Sequence, residues 1–337
     1  MTVKASFLVW CVLVAVSAGE LSGRLLAAVV QKELGPDAGY VELVEPREPG
    51  PVFGFREGLK SGTAVRRALA TALDRVARLK PDVALLVAFS GLNLRLGVEL
   101  RRRGVPVVYL SPPQVWAWGA GRVRVLRQAA DKVVCLYPFE VPLLRRAGVD
   151  AVFLGYPLLD LLAHEPAERE GVALLPGSRP SEVAFHRPLF EQAAIGFGDV
   201  RWVEPQGEGL GDCARRYGII GSARAALVVS GTAALETALL GTPQVVCYHL
   251  SLLSRLAARA LVRTRFFALP NILEGERTVP EILEPRARQL AQELSSALAP
   301  KRLEQAQVLA RRLSRLLGPL GGGARIAQLV RETARLA

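Results

Sequence analysis

The chain has 337 residues, half of them hydrophobic and 22% charged, which is length for about two domains and apolar content enough to give each a core. A disulfide-stapled module and a disordered chain are both excluded. Lys and Arg outnumber Asp and Glu by 43 to 31, a formal net charge of +12, so anionic partners are favoured: sugar nucleotides, lipid phosphates, membrane surfaces or nucleic acid.

The apolar run from Ala5 to Ala18 follows Lys4 and has the size of a signal-peptide core, yet it is shorter than a bilayer span. It leads through Ser17-Ala18-Gly19-Glu20-Leu21-Ser22-Gly23 into a helical pattern at Leu25, Leu26, Val29 and Val30, so it reads as a buried first strand entering a helix. Short Val/Leu-rich runs then recur at Val83–Phe89, Val105–Leu110, Lys132–Leu136 and Ala151–Leu154, with helical stretches between them. The polar stretch Asp160–Gly171, which contains Pro166 and has no clear period, reads as a linker. After it the pattern restarts at Val172–Leu175, Val200–Val203, Ala226–Val229 and Gln244–Tyr248. From about Glu284 the spacing of Leu290, Leu294, Leu298, Leu309, Leu313 and Leu316 is helical, with a break at Gly321-Gly322-Gly323. The expected fold is α/β: a Rossmann-like domain over 1–160, a second over 171–285 facing it across a cleft, and closing helices over 286–337 that pack back on the first.

Cys11, Cys135, Cys213 and Cys247 lie far apart, mostly inside apolar runs, and read as reduced core thiols of a cytoplasmic protein. His164, His186 and His249 have no spacing that suits a metal site or a triad, and His186 reads as a solvated helix histidine. No metal and no cofactor are expected. A hydrolase is disfavoured because the G-x-S-x-G elbow is missing. Two basic amphipathic stretches bear on partners: Arg66, Arg67, Arg75 and Arg78 among apolar residues, and Arg255, Arg259 and Arg263 on one helix face. They could meet lipid phosphates, and they fit a solvated outer face equally well. Trp116 and Trp118 suit an acyl-chain or membrane-facing surface, or simply core. Nucleic acid is the disfavoured anion, since no recognition motif or stacking set accompanies the charge.

Two loops have the chemistry to hold a phosphate. In Leu174-Leu175-Pro176-Gly177-Ser178-Arg179-Pro180-Ser181-Glu182 a strand ends in a Gly/Ser turn, an arginine and a helix start, offering backbone N–H groups, a helix dipole and a forked cation. A capped turn with a surface arginine would read the same. In Ser230-Gly231-Thr232-Ala233-Ala234-Leu235-Glu236 small residues permit close backbone approach, and Glu236 is placed to accept from ribose hydroxyls.

These segments, with AGELSG at 18–23, SPPQVWAW at 111–118 followed by Arg122-Val123, YPFE at 137–140, LGYPL at 154–158 with Asp160, and LPNIL at 269–273, resemble the lipid-A-disaccharide synthase family, inverting glycosyltransferases of the two-Rossmann GT-B type. The resemblance implies a UDP-activated acylated amino sugar, UDP-2,3-diacylglucosamine, as donor and a phosphorylated lipid, 2,3-diacylglucosamine 1-phosphate, as acceptor. It also implies a β-1,6 linkage, no required metal, and work at the membrane surface, peripheral to the inner membrane. By the same resemblance Gly177, Ser178 and Arg179 contact diphosphate and uridine, Ser230, Gly231, Thr232 and Glu236 form the second phosphate and ribose loop, and Asn271 lies near the same site. The sequence departs from the family in one loop, where Ala88 and Gly91 before Asn93-Leu94 stand at positions of expected carboxylates. Arg24 and Tyr156 are further departures, standing where the family has aspartate and histidine. Glu20 is then the candidate base, although a carboxylate at that position equally caps the following helix. A UDP-sugar transferase with a different lipid acceptor, a catalytically degenerate nucleotide-sugar or lipid binder, and a homodimer all stay open.

Overall fold

The computed structural model describes residues 11–19, 21–44, 55–116, 121–162, 168–204, 209–249 and 264–335, with side chains of the helix that begins at Phe55 described from residue 62. Two compact units divide the chain. The first runs to Leu154, with Trp116 grouping elsewhere, and resumes at Gly323; the second runs from Gly155 to Gly322 and includes Trp116.

In the first unit β1 (Val12–Ala18), β2 (Ala38–Glu42), β3 (Val83–Val87), β4 (Val107–Leu110), β5 (Lys132–Cys135) and β6 (Ala151–Phe153) form one parallel sheet in the order β2-β1-β3-β4-β5-β6. The helices α1 (Leu21–Leu34), α2 (Phe55–Leu79), α3 (Ser90–Arg102), α4 (Arg122–Ala129) and α5 (Glu140–Arg146) alternate with these strands. All five residues of β3 are buried, as expected of a strand covered on both faces by crossover helices. β2 escaped the sequence reading because AGYVE is short, carries Gly and Glu, and pairs only with β1 at the sheet edge. On α2, Ala68, Ala72 and Val76 face the core, while Arg75 donates to the Glu42 carbonyl at 2.8 Å and Arg78 pairs with Asp74 at 2.6 Å. Arg66, Arg67 and Arg78 are exposed, as a solvated outer face and a contact with lipid phosphates both require.

The second unit holds β7 (Val172–Leu175), β8 (Val200–Trp202), β9 (Ala225–Val229), β10 (Gln244–Tyr248) and β11 (Glu281–Leu283), again parallel, in the order β11-β10-β9-β7-β8. Its helices are α6 (Pro180–Ala193), α7 (Leu210–Gly221), α8 (Thr232–Leu239), α9 (Leu269–Glu274), α10 (Ala287–Ala297) and α11 (Pro300–Leu317). The final helix, α12 (Gly322–Arg335), belongs to the first unit from Gly323 onward: Arg331 donates to the Leu34 carbonyl at 2.6 Å and Arg325 to that of Leu154 at 2.8 Å. The structure thus narrows the expectation for 286–337. Leu290, Leu294 and Ala297 of α10 join the second core, and the Leu317 carbonyl of α11 accepts from Tyr156 N–H at 2.8 Å, so only α12 returns. The change of unit falls at Leu154, ahead of the polar stretch, because Tyr156 is buried and Asp160 accepts from Gly321 N–H at 2.9 Å.

Cys135, Cys213 and Cys247 are buried, and burial pushes each thiol up. Cys11 departs from the core expectation: it is exposed, just ahead of β1. Among the described residues no helix is long and apolar enough to cross a membrane.

Candidate functional site

In an open parallel sheet the crevice for a ligand forms at the carboxyl ends of the strands, where the strand order reverses and successive helices leave for opposite faces. In the second unit that point lies between β7 and β9, and the two loops singled out in the sequence leave those two strands.

The loop after β7 is shaped around an anion. Arg179 is the N-cap of α6, Pro180 takes the first helical position, and Glu182 reaches back so that its Oε2 accepts from the Ser178 and Arg179 N–H groups at 3.3 Å each. Its Oε1 pairs with Arg179 Nη1 at 2.7 Å. Gly177 permits this: its φ is +109°, and a Cβ there would stand 2.8 Å from that of Glu182. The donors that suit a phosphate are thus gathered on a carboxylate of the chain itself, while Arg179 keeps a third of its side chain in solvent.

The loop after β9 is more open. Ser230 donates its N–H to the Cys247 carbonyl and its hydroxyl to that of Phe267, both at 2.9 Å, which ties the end of β9 to β10 and to the approach of α9. Gly231 is exposed, with nothing within 4 Å of the place a Cβ would take, and Thr232 opens α8 half-buried. Glu236 departs from the ribose-facing expectation. Its side chain is 3% exposed and its Oε2 is 2.9 Å from Arg216 Nη2, so the carboxylate is committed to an ion pair between α8 and α7. Burial pushes that carboxyl up, and the guanidinium takes back part of the rise.

Asn271 departs likewise. It is fully buried; its Oδ1 accepts from Thr278 N–H and Oγ1 and from Val279 N–H, and its Nδ2 donates to the Val279 carbonyl at 3.0 Å. Its amide clamps α9 to the strand entry at Val279 instead of reaching toward a ligand. His186, read as solvated, is buried on α6 with Nδ1 2.8 Å from the Glu182 carbonyl oxygen, and burial lowers its pKa.

The first unit reverses between β1 and β3. Here Ser17 Oγ donates to Asn93 Oδ1 at 2.6 Å, and Asn93 Nδ2 lies 3.1 Å from the carbonyls of Ser17, Val87 and Ala88, a buried clamp across the two strand ends. Ala88 and Phe89 both hold positive φ, 49° and 44°, and the Tyr109 hydroxyl donates to the Ala88 carbonyl at 2.7 Å. A Cβ on Gly19 would stand 2.3 Å from the Phe89 ring. Arg122 is half-buried, and burial lowers its pKa against the opposing field of Tyr109. Glu20 lies outside the described residues, as do Trp118, Arg255, Arg259 and Arg263; Trp116 is half-buried.

Sequence reasoning missed the Arg216–Glu236 pair, the Ser17–Asn93 clamp and a pairing of His249 with Glu284. Each joins residues 20 to 76 positions apart, beyond the reach of any local motif. A signal did exist for Asn93, a polar residue inside the apolar run of α3.

Two Rossmann-like parallel-sheet units in one chain, with anion-ready loops at the switch point of the second, define a GT-B type protein. Comparison with known proteins gives the family. The lipid-A-disaccharide synthetase model matches residues 14–197 and 211–318. Lipid-A-disaccharide synthase of Anaeromyxobacter sp. (strain K) is 34% identical, over 93% of this chain and 95% of its own, and that of Myxococcus xanthus (strain DK1622) is 33% identical, over 94% and 96%. Among solved structures, a Staphylococcus aureus MnaA–UDP complex aligns with TM-score 0.65 at 11% identity, covering 97% of this chain and 98% of its own. Acinetobacter baumannii MurG aligns with TM-score 0.56 at 14% identity, covering 95% and 99%. The chain belongs to the lipid-A-disaccharide synthase family and is a glycosyltransferase.

Proposed function

We propose that this chain transfers a 2,3-diacylglucosaminyl group from UDP to the 6-hydroxyl of 2,3-diacylglucosamine 1-phosphate, with inversion and release of UDP, at the surface of the inner membrane. The observation that carries the donor half is the pair of loops at the switch point of the second sheet, 177–179 and 230–232. The Ser178 and Arg179 N–H groups and the Arg179 guanidinium, now gathered on Glu182, exchange that carboxylate for the diphosphate, with Gly177 allowing the turn, and Ser230, Gly231 and Thr232 offer an open approach from the neighbouring loop. Glu236 and Asn271 act behind these loops, holding α8 on α7 and α9 on the strand entry.

The reaction breaks the bond from the anomeric carbon to the diphosphate oxygen and forms one to the acceptor hydroxyl, whose proton goes to a base. Arg179 and the α6 dipole stabilise the charge that collects on UDP. Glu20 is assigned as the base from its place in the AGELSG segment.

The test is UDP release from UDP-2,3-diacylglucosamine by purified protein, with and without detergent-solubilised 2,3-diacylglucosamine 1-phosphate. Release that requires this acceptor is expected, and Glu20→Gln should abolish it while UDP still binds. UDP binding without release in the wild type would contradict the acceptor assignment, and full turnover by the Gln variant would move the base elsewhere.

A further inference from the structure

At the carboxyl end of β10 His249 forms a carboxylate–imidazole pair, Nδ1 to Glu284 Oε2 at 2.8 Å. Glu284 follows β11 with φ at +57°, a conformation uncommon outside glycine, and its N–H is anchored on the Tyr248 carbonyl at 3.0 Å. The ring is also fixed on its face, where Phe185 of α6 stacks at 3.7 Å between centroids and 10° between planes. With Nδ1 taken, Nε2 is the nitrogen left to act, and no described residue pairs with it. The side chains of His249 and Glu284 are 32% and 31% exposed, so a ligand can reach them.

The surroundings point to an anion. Phe185, on which the ring stacks, belongs to α6, the helix that the loop after β7 opens, and the neighbouring Tyr248 lies in the fields of Arg179 and Glu182 at that helix's start. Phe185 meets His186 edge-on at 5.1 Å, and the buried Nε2 of His186 has no hydrogen-bond partner, so the polar cluster is incomplete as it stands. Among the described residues His186 of α6 and Glu284 after β11 act on the ring, and Arg179 and Glu182 act on its neighbour Tyr248. Both carboxylates are already engaged, Glu182 with Arg179 and the loop N–H groups, Glu284 with the imidazole.

We propose that His249, oriented by Glu284 and Phe185, is a further anion contact of the nucleotide edge, donating from Nε2 to a diphosphate oxygen of the ligand held by residues 177–179. With Nδ1 engaged by Glu284, Nε2 is the nitrogen turned to the phosphate, and Glu284 is the positioning residue of the ring. The inference rests on the donor-binding reading above.

The test is calorimetric titration of wild type, His249→Gln, His249→Lys and Glu284→Gln with UDP and with uridine, beside their melting temperatures. His249→Gln should weaken UDP binding by about 10-fold or more, the scale of a lost hydrogen bond to a charged group, and leave uridine binding unchanged. His249→Lys, which supplies an N–H donor to the phosphate, should recover part of the loss, and Glu284→Gln should weaken UDP by about 3-fold, as expected for a neighbour that only orients the contact. UDP binding by the wild type with no change in His249→Gln would overturn the inference and leave the donor reading intact. Equal loss for UDP and uridine would also overturn it, since the ring would then serve packing. A wild type that does not bind UDP would remove the donor reading and this inference together.

Discussion

The two sheets end in edges of opposite character. At the β1/β3 reversal the buried centre is neutral and internally satisfied: Ser17 and Asn93 close on each other and on backbone carbonyls, the one described cation at the end of β1, Arg24, is spent on the Ala18 carbonyl at 3.3 Å, and the loop beyond β3 turns through two left-handed residues, Ala88 and Phe89. Along the β7, β9 and β10 ends of the second sheet the groups are charged and partly open, with Arg179 and Glu182 at a glycine turn after β7 and the His249–Glu284 pair after β10 and β11. The first centre is built to hold shape, and the second presents the charge that the proposed donor site needs. On that proposal the donor half of the reaction draws on short contiguous loops of the second unit, and the loop with Ala88 and Gly91 lies in the first.

The contrast can be broken from either side. The largest effect is expected at the neutral edge. Asn93→Ala leaves the buried Ser17 hydroxyl without its acceptor and takes a donor from the Ser17, Val87 and Ala88 carbonyls, of which Ala88 keeps the Tyr109 hydroxyl, so chemical denaturation should show a loss of about 2–4 kcal/mol. An unchanged midpoint would mean that the clamp does not hold the strand ends. At the charged edge Arg179→Ala should leave stability nearly untouched, since the ion pair is partly solvated, but weaken UDP binding by about 1.5–3 kcal/mol. Equal affinity would take the guanidinium out of the site.

The smallest effect concerns pH. Burial holds the His186 pKa in the folded chain below its ordinary value near 6.5, so the unfolded chain binds the proton more tightly. Its contribution to stability is complete above about pH 6.5 and is lost as pH falls below that value. His186→Leu should therefore flatten the fall in melting temperature between pH 7 and pH 5; an identical slope in both proteins would contradict this.

Most of the sheet framework was legible because buried parallel strands are apolar on both faces: Val83–Val87 and Ala225–Val229 are continuous apolar runs. The edge strands β2 and β11 were not, since each is short and mixed in character. The phosphate-ready turns were legible because glycine, N-cap and Glu182 fall within six residues. What those loops lean on was not. Glu236 looks like a ligand residue in SGTAALE, and only folding brings Arg216 against it. Asn271 looks like a site residue in LPNIL, and only folding spends its amide on Thr278 and Val279. The same limit applies to His249, whose partner is 35 residues away.

The central claim is that the nucleotide is held by the second unit's switch-point edge. Amide hydrogen exchange with and without saturating UDP tests it directly. Slowed exchange is expected at residues 175–183, 229–236 and 247–249, with residues 86–94 unchanged; protection confined to 86–94, with none at the β7 and β9 loops, would contradict the account.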